Sequence, residues 1–365
     1  EENLEQAAEW FFKAAAKEHK YALYSLGMLY LQGKGVEQDE ETAYSLLFRS
    51  YSKGNPYAAY ELGKLYAAGC GTEKNQEKSE NCYRAAFLGF LNLEKKSKDD
   101  TLWYRIGCMY LHGIGTEADE TKAEHYLTKA SDYGNTHASY QLARLYIRQE
   151  SQKLSGESGT APDYAKIAKA VKWLEESAAQ ENPFADYAIG RLYREGTLVA
   201  EDMEKAVFHL KCAADAGNSY AQYQLGKIYL EEDTKNIPAA IQYLTLAAKQ
   251  KNQFAAYRLG KLYLAGEELP KNTELALHYL KMAADTGNQY AQYALGKVYL
   301  IGKDVQQDKE LAYDYFLKSA EQGNIYAAYF LEHWNDMPHP DLFLMATRLM
   351  RHLEHIIEEN VAGRK

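Results

Sequence analysis

Tyr220-Ala221-Gln222-Tyr223-Gln224-Leu225-Gly226-Lys227-Ile228-Tyr229 is the stretch that decides the fold. On a helical wheel its Leu, Gly and closing Tyr, with the aliphatic residue before that Tyr, share one arc, which marks them as core and the stretch as a helix. The phrase returns along the chain. Its closing tyrosine falls at Tyr30, Tyr66, Tyr110, Tyr146, Tyr193, Tyr229, Tyr263 and Tyr299, in steps of 36, 44, 36, 47, 36, 34 and 36 residues. A period of this length predicts a stacked array of supersecondary units, which overrides the two or three globular domains that 365 residues would otherwise suggest.

Each phrase is followed by a glycine-bearing turn, such as Gly33-Lys34-Gly35 or Gly113-Ile114-Gly115, and then by Asp39, Asn75, Asp119, Asp202, Asn272 or Asp308. These residues read as N-caps of a second helix. That helix runs Ala206, Leu210, Ala213, Ala214 to Gly217-Asn218, a pair that suits a C-cap. The unit is therefore a helical hairpin. Gly27, Gly63, Gly107, Gly190, Gly226, Gly260 and Gly296 sit mid-helix, where glycine costs about 1 kcal/mol relative to Ala, so a close approach by the partner helix is expected. Ala143 fills that slot in one unit.

The phrase, the Gly-x-Gly turn and the Ala-Ala-x-x-Gly ending resemble Sel1-like repeats, relatives of the tetratricopeptide hairpin, over residues 1–335. The resemblance implies an all-α, right-handed superhelical solenoid of about eight to nine hairpins whose first helices line a concave face, and a role as an adaptor in complexes. Residues 3–19 match only a second helix, so the first hairpin reads as truncated. An extension around Leu91–Asp100 and a Ser/Gly-rich stretch, Ser151–Pro162, break the period, and the latter reads as a loop. Glu332 and Asn335 end the repetition. In the remaining segment, 336–365, Leu342, Met345, Ala346, Leu349, Leu353 and Ile356 share one face of a helix over 341–358, read as a cap of the solenoid or a self-association face.

The net charge of −9 argues against broad affinity for nucleic acid or anionic membranes, both of which need a positive excess. No apolar run reaches a membrane span and no signal peptide is visible, although the chain opens Glu1-Glu2-Asn3 and midway through a repeat; a bacterial cytoplasmic location is expected. Cys70, Cys82, Cys108 and Cys212 have neither CxxC spacing nor a fixed repeat position. No P-loop, HExxH or GxSxG occurs, His352 and His355 read as an exposed helix face, and neither enzymatic activity nor a cofactor or metal is expected.

Opposite the core arc of the first helices lie three columns. An aromatic precedes the Ala at Tyr21, Tyr57, Phe184, Tyr220, Phe254, Tyr290 and Tyr326; a second column is tyrosine in all nine phrases; a cation follows four residues later in six of eight. Residues four apart are neighbours on a helix, so each tyrosine can support its cation. The candidate binding residues on the concave face are therefore Tyr60 with Lys64, Tyr140 with Arg144, Tyr187 with Arg191, Tyr223 with Lys227, Tyr257 with Lys261 and Tyr293 with Lys297. Such a wall suits an extended acidic peptide or a protein partner; alternatively, the tyrosines pack between neighbouring first helices and the cations are ordinary solvated charges. A further resemblance, carried by Phe343-Leu344-Met345-Ala346-Thr347-Arg348-Leu349-Met350, is to the C-terminal part of mobilisation relaxases of conjugative elements. It implies an accessory region that contacts DNA or transfer-machinery proteins, with single strands stacking on the aromatic wall.

Overall fold

The computed structural model describes residues 3–155 and 161–334, where eighteen α-helices, one 3₁₀ turn (Glu232–Thr234) and no strand are found among the described residues. The chain divides into two compact units, Glu1–Gln180 and Glu181–Lys365. The first holds α1 (Leu4–Ala15), α2 (Lys20–Gln32), α3 (Glu40–Ser52), α4 (Pro56–Ala68), α5 (Gln76–Glu94), α6 (Asp100–His112), α7 (Glu120–Asp132), α8 (Thr136–Ser155) and α9 (Tyr164–Ala178). The second holds α10 (Pro183–Glu195), α11 (Met203–Asp215), α12 (Ser219–Ile228), α13 (Ile237–Lys249), α14 (Gln253–Ala265), α15 (Thr273–Asp285), α16 (Gln289–Ile301), α17 (Lys309–Glu321) and α18 (Ile325–Glu332). Within each unit the helices pair as hairpins, α2 with α3 through α8 with α9 and α10 with α11 through α16 with α17, and neighbouring hairpins stack. The helix read over 341–358, with His352 and His355, lies outside the described residues.

Local sequence sets the helix ends. The side chains of Asp39, Asn75, Asp119, Asp202, Asn272 and Asp308 each accept the backbone N–H three residues on, as their position predicts. The Gly-Asn pair read as a C-cap divides between two helices. Gly54, Gly217, Gly287 and Gly323 take the left-handed conformation that ends the second helix, but Asn55, Asn218, Asn288 and Asn324 are N-caps of the next first helix. Asn252, which follows Lys251 rather than a glycine, caps α14 in the same way, and two of these five junction asparagines also bind backward. Asn55 Nδ2 donates to the Lys20 carbonyl at 3.4 Å and Asn252 Nδ2 to the Ser219 carbonyl at 3.3 Å, tying the start of one first helix to the start of the preceding one.

The mid-helix glycines are where the hairpins close. A Cβ built on Gly226 would stand 2.5 Å from Leu244 Cγ, on Gly260 2.6 Å from Leu280 Cγ, and on Gly296 2.8 Å from the Phe316 ring. The facing residue is the eighth after the N-cap in each of these hairpins. Gly226→Ala is accordingly expected to lose about 1–2 kcal/mol in urea denaturation, overpacking outweighing the gain in helix propensity. Combining it with Leu244→Val should cost less than the two single losses added; strict additivity would mean that the two positions do not share the space.

Turn glycines set the stacking in the first unit. Gly35, Gly71 and Gly115 have φ of 70°, 62° and 68°, and a Cβ there would lie 2.4, 2.1 and 2.3 Å from the carbonyl oxygens of Leu4, Glu40 and Tyr83 in the preceding second helix. Backbone thus rests on backbone between neighbouring hairpins.

Both breaks in the period are fastened by a glutamate. Extra residues after the Ala-Ala of α5 continue that helix to Glu94, whose Oε1 accepts from Trp103 Nε1 at 3.3 Å and Lys129 Nζ at 2.9 Å. The stretch read as a loop from Ser151 begins instead as helix, since α8 runs to Ser155; residues 156–160 lie outside the described ones. A reason is visible at Glu150, fully buried, which takes Lys153 Nζ at 2.8 Å and the Asp163 backbone N–H, the N-cap of α9, at 2.8 Å. Burial alone pushes this carboxyl up, but Lys153 and the Asp163 amide together hold it below the usual range. A carboxyl depressed in the folded state adds stability above its unfolded pKa and loses it as pH falls through the folded one. Glu150→Gln should therefore cost about 1–2 kcal/mol at neutral pH and little in acid, narrowing the gap to wild type below about pH 4 in melting curves. A gap of constant size across that range would show that the charge plays no part.

Candidate binding face

The first helices present the three columns together, and in the second unit they interlock. The Tyr187 ring lies 6.2 Å from that of Tyr220, Tyr223 6.0 Å from Phe254, Tyr257 6.2 Å from Tyr290 and Tyr293 6.2 Å from Tyr326, all tilted by 35–41°. The phrase tyrosine of each first helix thus leans on the outer aromatic of the next. Ring pairs at this separation attract by about 0.5–1.5 kcal/mol beyond the area they bury. The two columns differ in exposure. Tyr187, Tyr223 and Tyr257 are half-buried and Tyr293 is buried, whereas Phe184, Tyr220, Phe254 and Tyr290 remain 45–60% exposed. The inner tyrosines therefore contribute packing between first helices, and the outer rings form an exposed aromatic stripe.

Cations sit above the inner rings as the spacing predicts. Lys64 lies 4.9 Å from the Tyr60 ring, Arg144 5.7 Å from Tyr140, Arg191 6.0 Å from Tyr187, Lys227 5.9 Å from Tyr223 and Lys297 5.0 Å from Tyr293. Tyr257 and Lys261 hold the same positions on α14, with Tyr257 half-buried and Lys261 exposed. The phenols of Tyr60, Tyr140 and Tyr223 are all raised above their ordinary pKa by burial, so they stay protonated and offer O–H donors. Where Cys108 replaces the cation, burial pushes its thiol up to about 11, and Tyr104 beside it to about 12.

The charges are less uniform than the column implies. Lys64 pairs with Glu61 at 2.9 Å and Arg191 with Glu195 on its own helix, so part of their field is spent locally. Lys227 is different. Its pKa is lowered, first by burial and then by the neighbouring charges of Arg194 and Arg258, with Glu231 opposing. Among the described residues no carboxylate lies within 4.0 Å of Lys227 or Arg258, and Arg194 is the member of this group that is ion-paired, to Glu231. Arg194 Nη1 also donates to Gln224 Oε1 at 2.6 Å. Arg194 and Arg258 were not among the residues read from the sequence, since neither falls in the cation column; Arg258 directly follows Tyr257, which was the available signal.

In the first unit the face is more closed. The Tyr57 ring packs 5.0 Å from buried Phe90 of lengthened α5, and Arg105 lies over Tyr57 and Tyr60 at 5.4 and 6.0 Å with its Nε buried and lacking a hydrogen-bond partner. Arg105, too, escaped the column pattern.

The closing tyrosines assigned to the core are not equally buried. Tyr66, Tyr110 and Tyr146 of the first unit are buried, but Tyr30 of that unit and Tyr193, Tyr229, Tyr263 and Tyr299 of the second are half-buried. Tyr263 and Tyr299 stack at 6.1 Å, within 6° of parallel, on Tyr279 and Tyr315 of their partner helices.

Nine segments of the chain, 1–19, 20–55, 56–88, 104–135, 136–182, 183–218, 219–252, 253–288 and 289–324, match the profile of the Sel1 repeat. The chain belongs to the Sel1 repeat family. Among solved structures it is similar to a Sel1 repeat protein from Oxalobacter formigenes, with 25% identity, a TM-score of 0.56 and 89% of each chain covered. It is also similar to a protective antigen of uropathogenic Escherichia coli displaying an SLR fold, with 24% identity, a TM-score of 0.56, 94% of this chain and 78% of that one covered; this likeness concerns the fold alone. A comparison with curated proteins returns no match. The comparisons lend no support to the relaxase resemblance, whose residues, Phe343 to Met350, lie outside the described ones. Among the described residues no Sel1 helix is long and apolar enough to cross a membrane, and no His/Cys/Asp/Glu group suited to a metal is found.

Proposed function

We propose that this Sel1 repeat chain is a non-catalytic interaction scaffold, and that the first-helix face of its second unit takes an extended acidic peptide of a protein partner. Membership of a family of interaction repeats supports the scaffold role. The observation that carries the site is the exposed stripe of Phe184, Tyr220, Phe254 and Tyr290, flanked by cations in a chain of net charge −9. Exposed aromatics beside charge are the composition of interface anchors, and the regular step from one first helix to the next favours a ligand that is itself extended and periodic. The outer rings and cations are the contacting groups, while the inner tyrosines hold the helices that carry them.

The test is a titration of labelled acidic peptides by fluorescence anisotropy. Tyr220→Ala with Phe254→Ala is expected to weaken binding about 10-fold, with the urea midpoint lowered by no more than the two lost ring contacts to Tyr187 and Tyr223 account for. Undiminished affinity in that variant would remove the stripe from the site.

A further inference from the structure

The centre of this face carries a charge pattern that the acidic-peptide reading leaves unspecified. Lys227 on α12 lies over the Tyr223 ring; Arg194 of α10 reaches α12 through Gln224 and the Glu231 that follows it, and Arg258 of α14 stands one turn on from Phe254, whose ring packs against Tyr223. Three cations meet one carboxylate, Glu231, which binds Arg194. Among the described residues the other two have no carboxylate within 4.0 Å, so two positive charges are left over on this part of the face. A glutamate brought by a peptide would meet half of this surplus.

We infer that the Arg194, Lys227 and Arg258 cluster is a seat for a phosphoryl group, and that the peptide taken by this face carries a phosphorylated side chain there. This rests on the reading of the face as a peptide site. A phosphate monoester carries about −1.5 to −2 charges and three acceptor oxygens on one centre, which matches the surplus in number and concentration. Geometry favours it over a carboxylate. The cations come from three successive first helices, packed helices stand about 8–10 Å apart, and a tetrahedral group can accept from side chains converging from both sides, whereas a planar carboxylate pairs with one guanidinium edge-on. Tyr223, kept protonated by burial, adds a neutral donor at the base of the seat. Arg194 is already oriented by Gln224 and Glu231, so ordering it on binding costs less than for a free side chain.

The experiment compares, on the full chain at about 0.15 M salt, an acidic peptide with the same peptide carrying phosphoserine in place of one glutamate. The phosphopeptide is expected to bind about 10-fold tighter. Arg258→Gln, a change at an exposed position, should reduce that advantage to about 3-fold or less, weakening the unphosphorylated peptide by a smaller factor than the phosphopeptide. Equal affinity of the two peptides overturns the phosphoryl seat and leaves the face as a peptide site; binding of neither overturns the face itself. Displacement of the phosphopeptide by inorganic phosphate at its own dissociation constant would assign the seat to a free phosphate compound, and tighter binding of a single-stranded oligonucleotide with a steep salt slope would assign it to nucleic acid. Either result rejects the phosphopeptide.

Discussion

Gly71→Ala is expected to destabilise the first unit by about 3–5 kcal/mol, whereas Gly54→Ala should cost only about 1–2 kcal/mol. Both glycines have positive φ, 62° and 75°, so the conformational penalty of a side chain is common to the two. Their surroundings differ. Nothing lies within 4 Å of a Cβ on Gly54, while one on Gly71 would meet the Glu40 oxygen at 2.1 Å and its carbonyl carbon at 2.5 Å. The obstacle is backbone at the start of α3, which cannot rotate away as a leucine tip can, so the turn after α4 must lift from the hairpin before it. In a stacked array stability is a sum of unit terms and nearest-neighbour interfaces, and this substitution strikes an interface. Urea denaturation followed by circular dichroism measures both variants. Equal losses would mean that the Gly71 contact contributes nothing.

Asn55→Ala is expected to cost about 2–4 kcal/mol in the same measurement. The residue is wholly buried and has two duties: Oδ1 caps α4 through the Tyr57 N–H at 3.1 Å, and Nδ2 reaches Ser50 Oγ at 2.9 Å and the Lys20 carbonyl at 3.4 Å. Asn55→Asp separates the duties. It keeps the cap but replaces the donor by an acceptor facing a carbonyl in a dry site, and should lose at least as much stability as the alanine variant. If the aspartate variant is as stable as wild type, the cap accounts for the whole effect and the tether for none.

What the sequence made legible is what depends on short range. The six N-caps are decided by one side chain and an amide three residues away, so they can be read from a single window. The mid-helix glycines announced a close approach because no helix interior keeps them otherwise, and Leu244, Leu280 and Phe316 prove to be what approaches. Asn55 was legible as a capping type but not as to which helix it caps, since Gly-Asn stands at the end of one helix and the start of another. The ring and cation columns followed from helical spacing, and the i to i+4 stacking of Lys on Tyr is a property of one helix. Arg194 and Arg258 were illegible for the opposite reason. Their closeness to Lys227 arises between helices, at offsets of 33 and 31 residues that no spacing within one helix relates. Burial of the closing tyrosines likewise depends on what each second helix brings, a matter of the neighbour rather than of the phrase.

Glu94 and Glu150 carry a meaning for how such a chain can change. Each stands at the edge of an irregular stretch and returns the backbone to its partner helices: Glu94 through Trp103 and Lys129, Glu150 through the amide that opens α9. Each glutamate thus fixes described backbone or side chains beside the break in the period. A designer seeking to graft a foreign loop or epitope would begin at these two anchored junctions, both of which lie in the first unit.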